Sequence, residues 1–144
     1  QYTQNSKNKN LKKIIFLCTG NSCRSQMAEG FARNSLTGKK SIIDSAGVRA
    51  DGLNLLAIEV MKEIDIDISN QISKEISSID FNQFDIIVTV CDDAQKNCPV
   101  IPEKTMIHRS VMDPADFVGP MNQKRKIYRK VRHDIQKIVT DILI

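Results

Sequence analysis

The stretch that most limits what this chain can fold into is a short apolar run, Ile14-Ile15-Phe16-Leu17. It passes without a break into Cys18-Thr19-Gly20-Asn21-Ser22-Cys23-Arg24-Ser25. The run is continuous and β-rich, the signature of a buried strand over residues 12–17. Helical spacing follows at Met27, Ala28, Phe31, Ala32 and Leu36, and Gly38 ends it. A strand, a short loop and a helix start therefore meet where a cysteine and an arginine lie close in sequence. Loop amides and first-turn N–H groups lack backbone partners, so such a junction suits a tetrahedral oxyanion. The same field favours a thiolate. These residues point to Cys18 as a nucleophile and Arg24 as a guanidinium clamp that grips two oxygens. Thr19, Gly20, Asn21, Ser22, Cys23 and Ser25 complete the substrate loop. Gly20 is expected to supply a special backbone conformation, and Asn21 to hold the loop through side-chain to backbone bonds. Ser25 either donates to the thiolate or caps the helix, and the two roles are compatible.

Further along, Ser41–Ser45 reads as a second strand. Leu53, Leu56, Ala57, Val60, Met61 and Ile64 mark an amphipathic helix with Asn54 as its cap. Residues 65–83 read as a short extended piece around Ile66 and Ile68, then a short helix through Ile72, Ile76 and Ile79. Phe84–Val90 is a clear strand ending at Cys91, and Lys104–His108 a weaker one. Ile127, Val131, Ile135, Ile138 and Ile142 trace one face of a long C-terminal helix. Strands alternating with helices predict an α/β fold, an open, mainly four-stranded parallel sheet with helices on both faces. In such sheets the ligand site lies beyond the carboxyl ends of the strands. Cys18, Cys91 and Asp113 all follow predicted strands, so they are expected at one edge. Asp113-Pro114 reads as a turn or, beside the Cys18 loop, as a general acid for a leaving oxygen.

The chain has 144 residues. The polar residues 1–10 are expected to be a flexible segment and 11–144 a single catalytic domain. No apolar run approaches the ~20 residues of a membrane span, and the first ten residues lack the apolar core of a signal peptide, which points to the cytoplasm. The net charge of +4 is concentrated at Lys124–Lys126, Arg129, Lys130 and Arg132. With no Trp and only 2 Tyr, nothing beside it offers bases a stacking surface, which argues against a nucleic-acid partner.

The four cysteines decide more. Neither Cys18-x4-Cys23 nor Cys91-x6-Cys98 is a zinc half-site, and His108 and His133 form no ligand pair, so no metal site is expected. A disulfide framework does not suit a cytosolic domain of this size. If residues 91–98 are helical, seven steps separate the two α-carbons by roughly 10 Å. A disulfide needs about 4.4–6.8 Å. The polar residues between bury little, so local unwinding is cheap. A thiol pair on such a segment, near a nucleophilic cysteine, suggests a thiol–disulfide relay.

The run Cys18-Thr-Gly-Asn-Ser-Cys-Arg-Ser-Gln-Met-Ala-Glu29 resembles that of the thioredoxin-coupled arsenate reductases. So do Asp44-Ser-Ala-Gly47, Ile66-Asp67-Ile68-Ser69, and Val88-Thr-Val-Cys91 with Cys98-Pro99. That family is similar in fold and anion loop to the low-molecular-weight protein tyrosine phosphatases, which remain the alternative. Gln26, where phosphatases usually have proline, and the Cys91/Cys98 pair favour the reductases. A non-catalytic redox-sensing or oxyanion-binding module is the alternative of another class. The resemblance implies that Cys18 attacks arsenate, that Asp113 assists loss of water, and that Cys91 then displaces arsenite from Cys18. It further implies that Cys98 carries the oxidation to a Cys91–Cys98 disulfide, which thioredoxin reduces. It implies a monomer with no bound cofactor, and arsenate and thioredoxin as partners. Some members bind potassium through residues matching Asn21, Glu29 and Ser45 and a carboxylate aligned with Lys74. Lys74 is expected to repel that ion and to pair with Glu29 instead.

Overall fold

A computed structural model describes residues 11–144. The expectation of a flexible segment over 1–10 lies outside the described residues. The elements in chain order are β1 (Lys12–Cys18), α1 (Arg24–Ser35), β2 (Ser41–Gly47), α2 (Leu55–Lys62), β3 (Ile86–Thr89), α3 (Asp92–Asn97), β4 (Thr105–His108) and α4 (Met121–Leu143). The four strands form one parallel sheet in the order β2-β1-β3-β4.

β1 is an interior strand, and beyond Lys12 and Lys13 at its start it is apolar up to Cys18. Ile14, Ile15, Phe16 and Leu17 are all fully buried. Successive side chains point to opposite faces, so both faces of the sheet at β1 are covered. α1 packs on β1, β2 and α4, α2 packs on α4, and α3 lies against β1 and β3. The chain leaves β1 for β2 on one side and returns to β3 on the other. That reversal opens a crevice at the carboxyl ends of β1 and β3, the usual ligand position in open α/β sheets. Cys18 ends β1, and Cys91 lies two residues beyond β3.

The structure differs from the sequence-based expectations in two places. α1 starts at Arg24, three residues before its first apolar position, because Arg24, Ser25 and Gln26 are turned inward and buried. Between α2 and β3 there is no strand and no α-helix. There are two single 3₁₀ turns, Ile76–Ser78 and Phe81–Gln83, and one isolated bridge between Gly47 and Glu75. Ile66 and Ile68 are buried as expected, but Ile72 is 68% exposed and does not belong to an apolar face. Ile68 packs where Gly30 leaves room in α1: a Cβ on Gly30 would meet Ile68 Cγ2 at 2.6 Å.

The basic face of α4 has a structural use. Arg125 pairs with Glu59 of α2, and Arg129 and Arg132 pair with Glu63, joining the two helices. Among the described residues no helix is long and apolar enough to cross a membrane.

Candidate functional site

The loop between β1 and α1 is held by its carbonyls. Cys18 O, Thr19 O, Gly20 O and Ser22 O accept from the N–H groups of Val48, Arg49, Asp51 and Asn54, at 2.8–3.1 Å. Cys23 O accepts from Met27 N inside the helix. In a planar trans peptide the N–H points opposite to the carbonyl. With those carbonyls engaged elsewhere, the N–H groups of Thr19, Gly20, Asn21, Cys23 and Arg24 point the opposite way from them, as an anion nest requires.

Gly20 serves the loop differently from expectation. It has no left-handed conformation. Its missing side chain instead admits Asp51, whose Oδ2 would clash with a Cβ at Gly20. The left-handed residue is Asn21, with φ 45°. Asn21 tolerates it because its side chain is fully engaged. Its Oδ1 accepts from Lys74 N at 2.8 Å and Gln26 Nε2 at 3.0 Å, and its Nδ2 donates to Ser25 Oγ at 2.8 Å and Ser45 Oγ at 2.9 Å. Gln26 is itself fixed by Gln71 Nε2, which donates to its Oε1 at 2.8 Å.

This network fixes the role of Ser25. No side chain caps α1, so the capping role is absent. Ser25 Oγ lies 2.7 Å from Cys18 Sγ. Because Ser25 Oγ accepts from Asn21, its own hydrogen is available to the sulfur, the arrangement that favours a thiolate. Arg24 is buried, donates Nη1 to Val111 O at 2.9 Å, and brings Nη2 to 3.6 Å from Asp113 Oδ2. Asp113 also accepts from Ala115 N and opens the 3₁₀ turn Pro114–Asp116, so the turn reading holds, and the same residue lines the cavity beside Arg24. Burial, with the neighbouring Cys18 and Asp113 adding to it, pushes the Cys23 thiol far up and keeps it protonated.

Cys91 also reaches this site. It is the N-cap of α3, and its Sγ lies 3.2 Å from Thr19 Oγ1, a contact spanning 72 positions of sequence. Cys98 stands at the other end of α3, where burial pushes its thiol up. All four cysteines are free and buried. The structure thus brings together Cys18, Thr19, Arg24, Ser25, Asp113 and Cys91 and leaves Cys98 one helix length away. In the reduced state α3 is helical, as the spacing argument requires for an open pair.

The cavity at this edge holds about 110 Å³. Besides the predicted residues, Arg49, Asp51, Asn54 and Ala115 line it. The sequence points to none of the four as site residues, Asn54 being expected only as a helix cap. Arg49 and Asp51 lie shortly after the end of β2 at Gly47, so the rule that picks Cys18 and Cys91 applies to them as well. Among the described residues no aromatic side chain lines the cavity.

The expected Lys74–Glu29 pair is not formed. Lys74 Nζ lies 2.6 Å from Asp44 Oδ1 and donates to the carbonyls of Ser45 and Ile72 at 3.2 and 3.1 Å. Glu29 pairs instead with Arg33, at 2.7 Å, and accepts from Ser45 Oγ at 2.6 Å. Arg33 also donates to Ile43 O. Lys74 Nζ therefore already holds an oxygen of Ser45, Arg33 holds Glu29, and two N–H donors fill Asn21 Oδ1, so the residues do not fit a potassium ion.

The low molecular weight phosphotyrosine protein phosphatase family matches residues 13–143. An arsenate reductase of Oceanobacillus iheyensis is 47% identical over 126 residues, 86% of this chain and 90% of that protein. One from Bacillus subtilis is 47% identical over 125 residues, 86% of this chain and 89% of the relative. A solved structure described as "An arsenate reductase in oxidized state" superposes with a TM-score of 0.80 at 30% identity, covering 92% of this chain and 96% of that one. A low molecular weight protein tyrosine phosphatase from T. tengcongensis superposes with a TM-score of 0.76 at 25% identity, covering 92% and 97%. The chain belongs to the low molecular weight phosphotyrosine protein phosphatase family, and within it is similar to the arsenate reductases.

Proposed function

We propose that this chain reduces arsenate to arsenite through three of its own thiols and is returned to its starting state by thioredoxin. The observation that carries the reading is the contact between the oxyanion loop and a second cysteine, Thr19 Oγ1 to Cys91 Sγ. A phosphatase that forms and hydrolyses a thiophosphate has no use for that sulfur. The names of the relatives support the same substrate.

The proposed steps are those the resemblance implies, and the contacts of the site support them. Arsenate enters the nest, with its oxygens on the loop N–H groups and the Arg24 guanidinium. Cys18 Sγ, with Ser25 donating to it, attacks arsenic(V). Asp113, held near Arg24 Nη2, gives a proton to the departing oxygen, which leaves as water. Cys91 Sγ then attacks Cys18 Sγ. The electron pair of the S–As bond stays on arsenic, which leaves as arsenite, and a Cys18–Cys91 disulfide remains. Cys98 attacks Cys91 Sγ, the Cys18 thiolate is released, and the oxidation rests in a Cys91–Cys98 disulfide. A thioredoxin dithiol reduces that bond and becomes oxidised in turn. The proposal includes the monomeric state and the lack of a bound cofactor that the resemblance implies. Thiols that must be kept reduced suit a reducing compartment, so the proposal includes the cytoplasm.

The phosphatase reading has less support at the cavity wall. With no aromatic side chain there among the described residues, an aryl ester gains little from them beyond what its phosphoryl group contributes. The test is arsenate-dependent oxidation of NADPH with thioredoxin and thioredoxin reductase, beside hydrolysis of an aryl phosphate. Arsenate-driven turnover that exceeds hydrolysis is the expected result. Hydrolysis without arsenate-driven NADPH oxidation overturns the proposal.

A further inference from the structure

One chain of polar contacts touches the relay helix and takes part in no step above. Thr89, the last residue of β3, places Oγ1 2.7 Å from His108 Nδ1, and His108, the last residue of β4, places Nε2 3.1 Å from Asp92 Oδ1. Asp92 is the first residue of α3 and adjoins Cys91. The directions follow from chemistry. A carboxylate only accepts, so Nε2 donates to Asp92; in the neutral ring Nδ1 is then the acceptor and the Thr89 hydroxyl donates to it. Thr89 is buried, so the chain runs from the fixed sheet to the start of a helix that is otherwise weakly held.

That helix has six residues, too few to be stable alone, and only Ala94 among them is buried. Its two ends are tied differently. At the N-terminal end, His108 holds Asp92, and Thr19 contacts Cys91. At the other end, Cys98 Sγ donates only to Pro99 O, its own neighbour. Among the described residues no hydrogen bond joins the Cys98 side chain to another element. Closing a Cys91–Cys98 disulfide requires the α-carbons to approach from roughly 10 Å to about 6 Å. With one end tied, that travel falls on the other.

We propose that His108 is a positioning residue. Through Asp92 it anchors the N-terminal turn of α3 to the ends of β3 and β4. Cys91 Sγ then stays on Thr19, facing the Cys18 loop, while the Cys98 end unwinds and swings in. The inference rests on the relay reading, and it adds which thiol stays and which moves. It also explains why a histidine at the end of an edge strand spends both ring nitrogens on neighbours outside the oxyanion nest.

The test is a single turnover of the full chain with arsenate and no thioredoxin, quenched by alkylation, with disulfides assigned by peptide mass. His108→Ala is expected to slow formation of the Cys91–Cys98 disulfide about fivefold. That is equivalent to about 1 kcal/mol at 1.36 kcal/mol per decade, the upper worth of an exposed polar pair. The arsenate concentration for half-maximal rate stays unchanged. Asp92→Ala gives the same loss, and the double variant loses no more than either alone. His108→Gln, whose amide can both donate and accept, recovers part of the rate. Asp92 is largely exposed, so its variant tests the contact even where His108→Ala fails to fold. An unchanged or faster closure, additive losses, or a raised arsenate requirement overturns the anchor. Failure of the relay itself has a separate signature. A Cys98→Ser variant that turns over with thioredoxin removes the relay, whatever His108 does. A dead Cys98→Ser beside a fully active His108→Ala removes only the anchor.

Discussion

Gly47→Ala tests how tightly the reactive loop depends on its neighbour strand. Gly47 ends β2, and Cys18 is its partner in register on β1. A methyl group there would lie 2.5 Å from both Arg49 O and Asn21 N and 2.8 Å from Thr19 O. All three are backbone atoms, so no side chain can rotate away. Ordinary contact begins near 3.4 Å, so the loop has to retreat by 3.4 − 2.5 = 0.9 Å. Misplacing reacting groups by about 1 Å costs on the order of 100-fold in rate. Overpacking of this kind destabilises by about 1–3 kcal/mol. At about 3–4 °C per kcal/mol for a chain of this length, Tm falls by roughly 3–12 °C. The assays are arsenate-dependent kcat/KM and thermal unfolding by circular dichroism. Gly30→Ala is the control, because its methyl would meet Ile68 Cγ2 at 2.6 Å, a side-chain contact away from the loop. It should lower Tm without lowering activity in the folded enzyme. A Gly47→Ala protein that folds and keeps arsenate activity within about threefold of the parent would refute the reasoning.

Three further outcomes are expected. Ser25→Ala removes a hydrogen bond to the Cys18 sulfur worth about 1.5–3 kcal/mol if that sulfur is ionised. Partial compensation by intrinsic nucleophilicity leaves a fall of roughly 3- to 10-fold in the rate of arsenate capture, read by single-turnover quench. Glu63 is held down to about 2 by the Arg129 guanidinium first and by Arg132 with it. A depressed carboxylate adds stability above its unfolded value, near 4.3, and loses it as pH falls towards 2. Its side chain is about a third exposed, so the loss is about 1 kcal/mol; Glu63→Gln should flatten the decline of Tm between pH 5 and 2, and an unchanged slope would count against the pairing. With Lys74 and Arg33 holding the oxygens beside the loop, activity in potassium and sodium chloride at equal ionic strength should be the same, and a potassium-specific gain would contradict the assignment of those two side chains.

What the sequence made legible follows the physics of each segment. β1 and β3 are continuous apolar runs that nothing but a buried strand accommodates, and both were found within two residues of their ends. The long C-terminal helix was visible because its isoleucines and valines repeat over many turns. Placing Cys18, Cys91 and Asp113 together needed only topology, since each follows a strand of one parallel sheet. The start of α1 was read late because periodicity counts apolar residues, and here the inward face is polar. Arg24, Ser25 and Gln26 are buried for the loop's sake, a local rule broken at a functional site. The segment after α2 misled for the opposite reason. Ile72, Ile76 and Ile79 have helical spacing by coincidence, with Ile72 in solvent, while Ile66 and Ile68 are anchored singly as the chain passes over α1. Arg33 and Lys74 were beyond reach because a salt-bridge partner is decided by packing, and Asp44 lies nearer to Lys74 than Glu29 does.

The claim that oxidation passes from Cys18 to Cys91 and then to Cys98 can be tested on one protein. Cys98→Ser, reduced, freed of reductant and given arsenate, should consume one equivalent and stop. Peptide mass mapping should then find Cys18 joined to Cys91, with one arsenite released per chain. Arsenate consumed with Cys91 still alkylatable, or turnover that continues under thioredoxin, would contradict it.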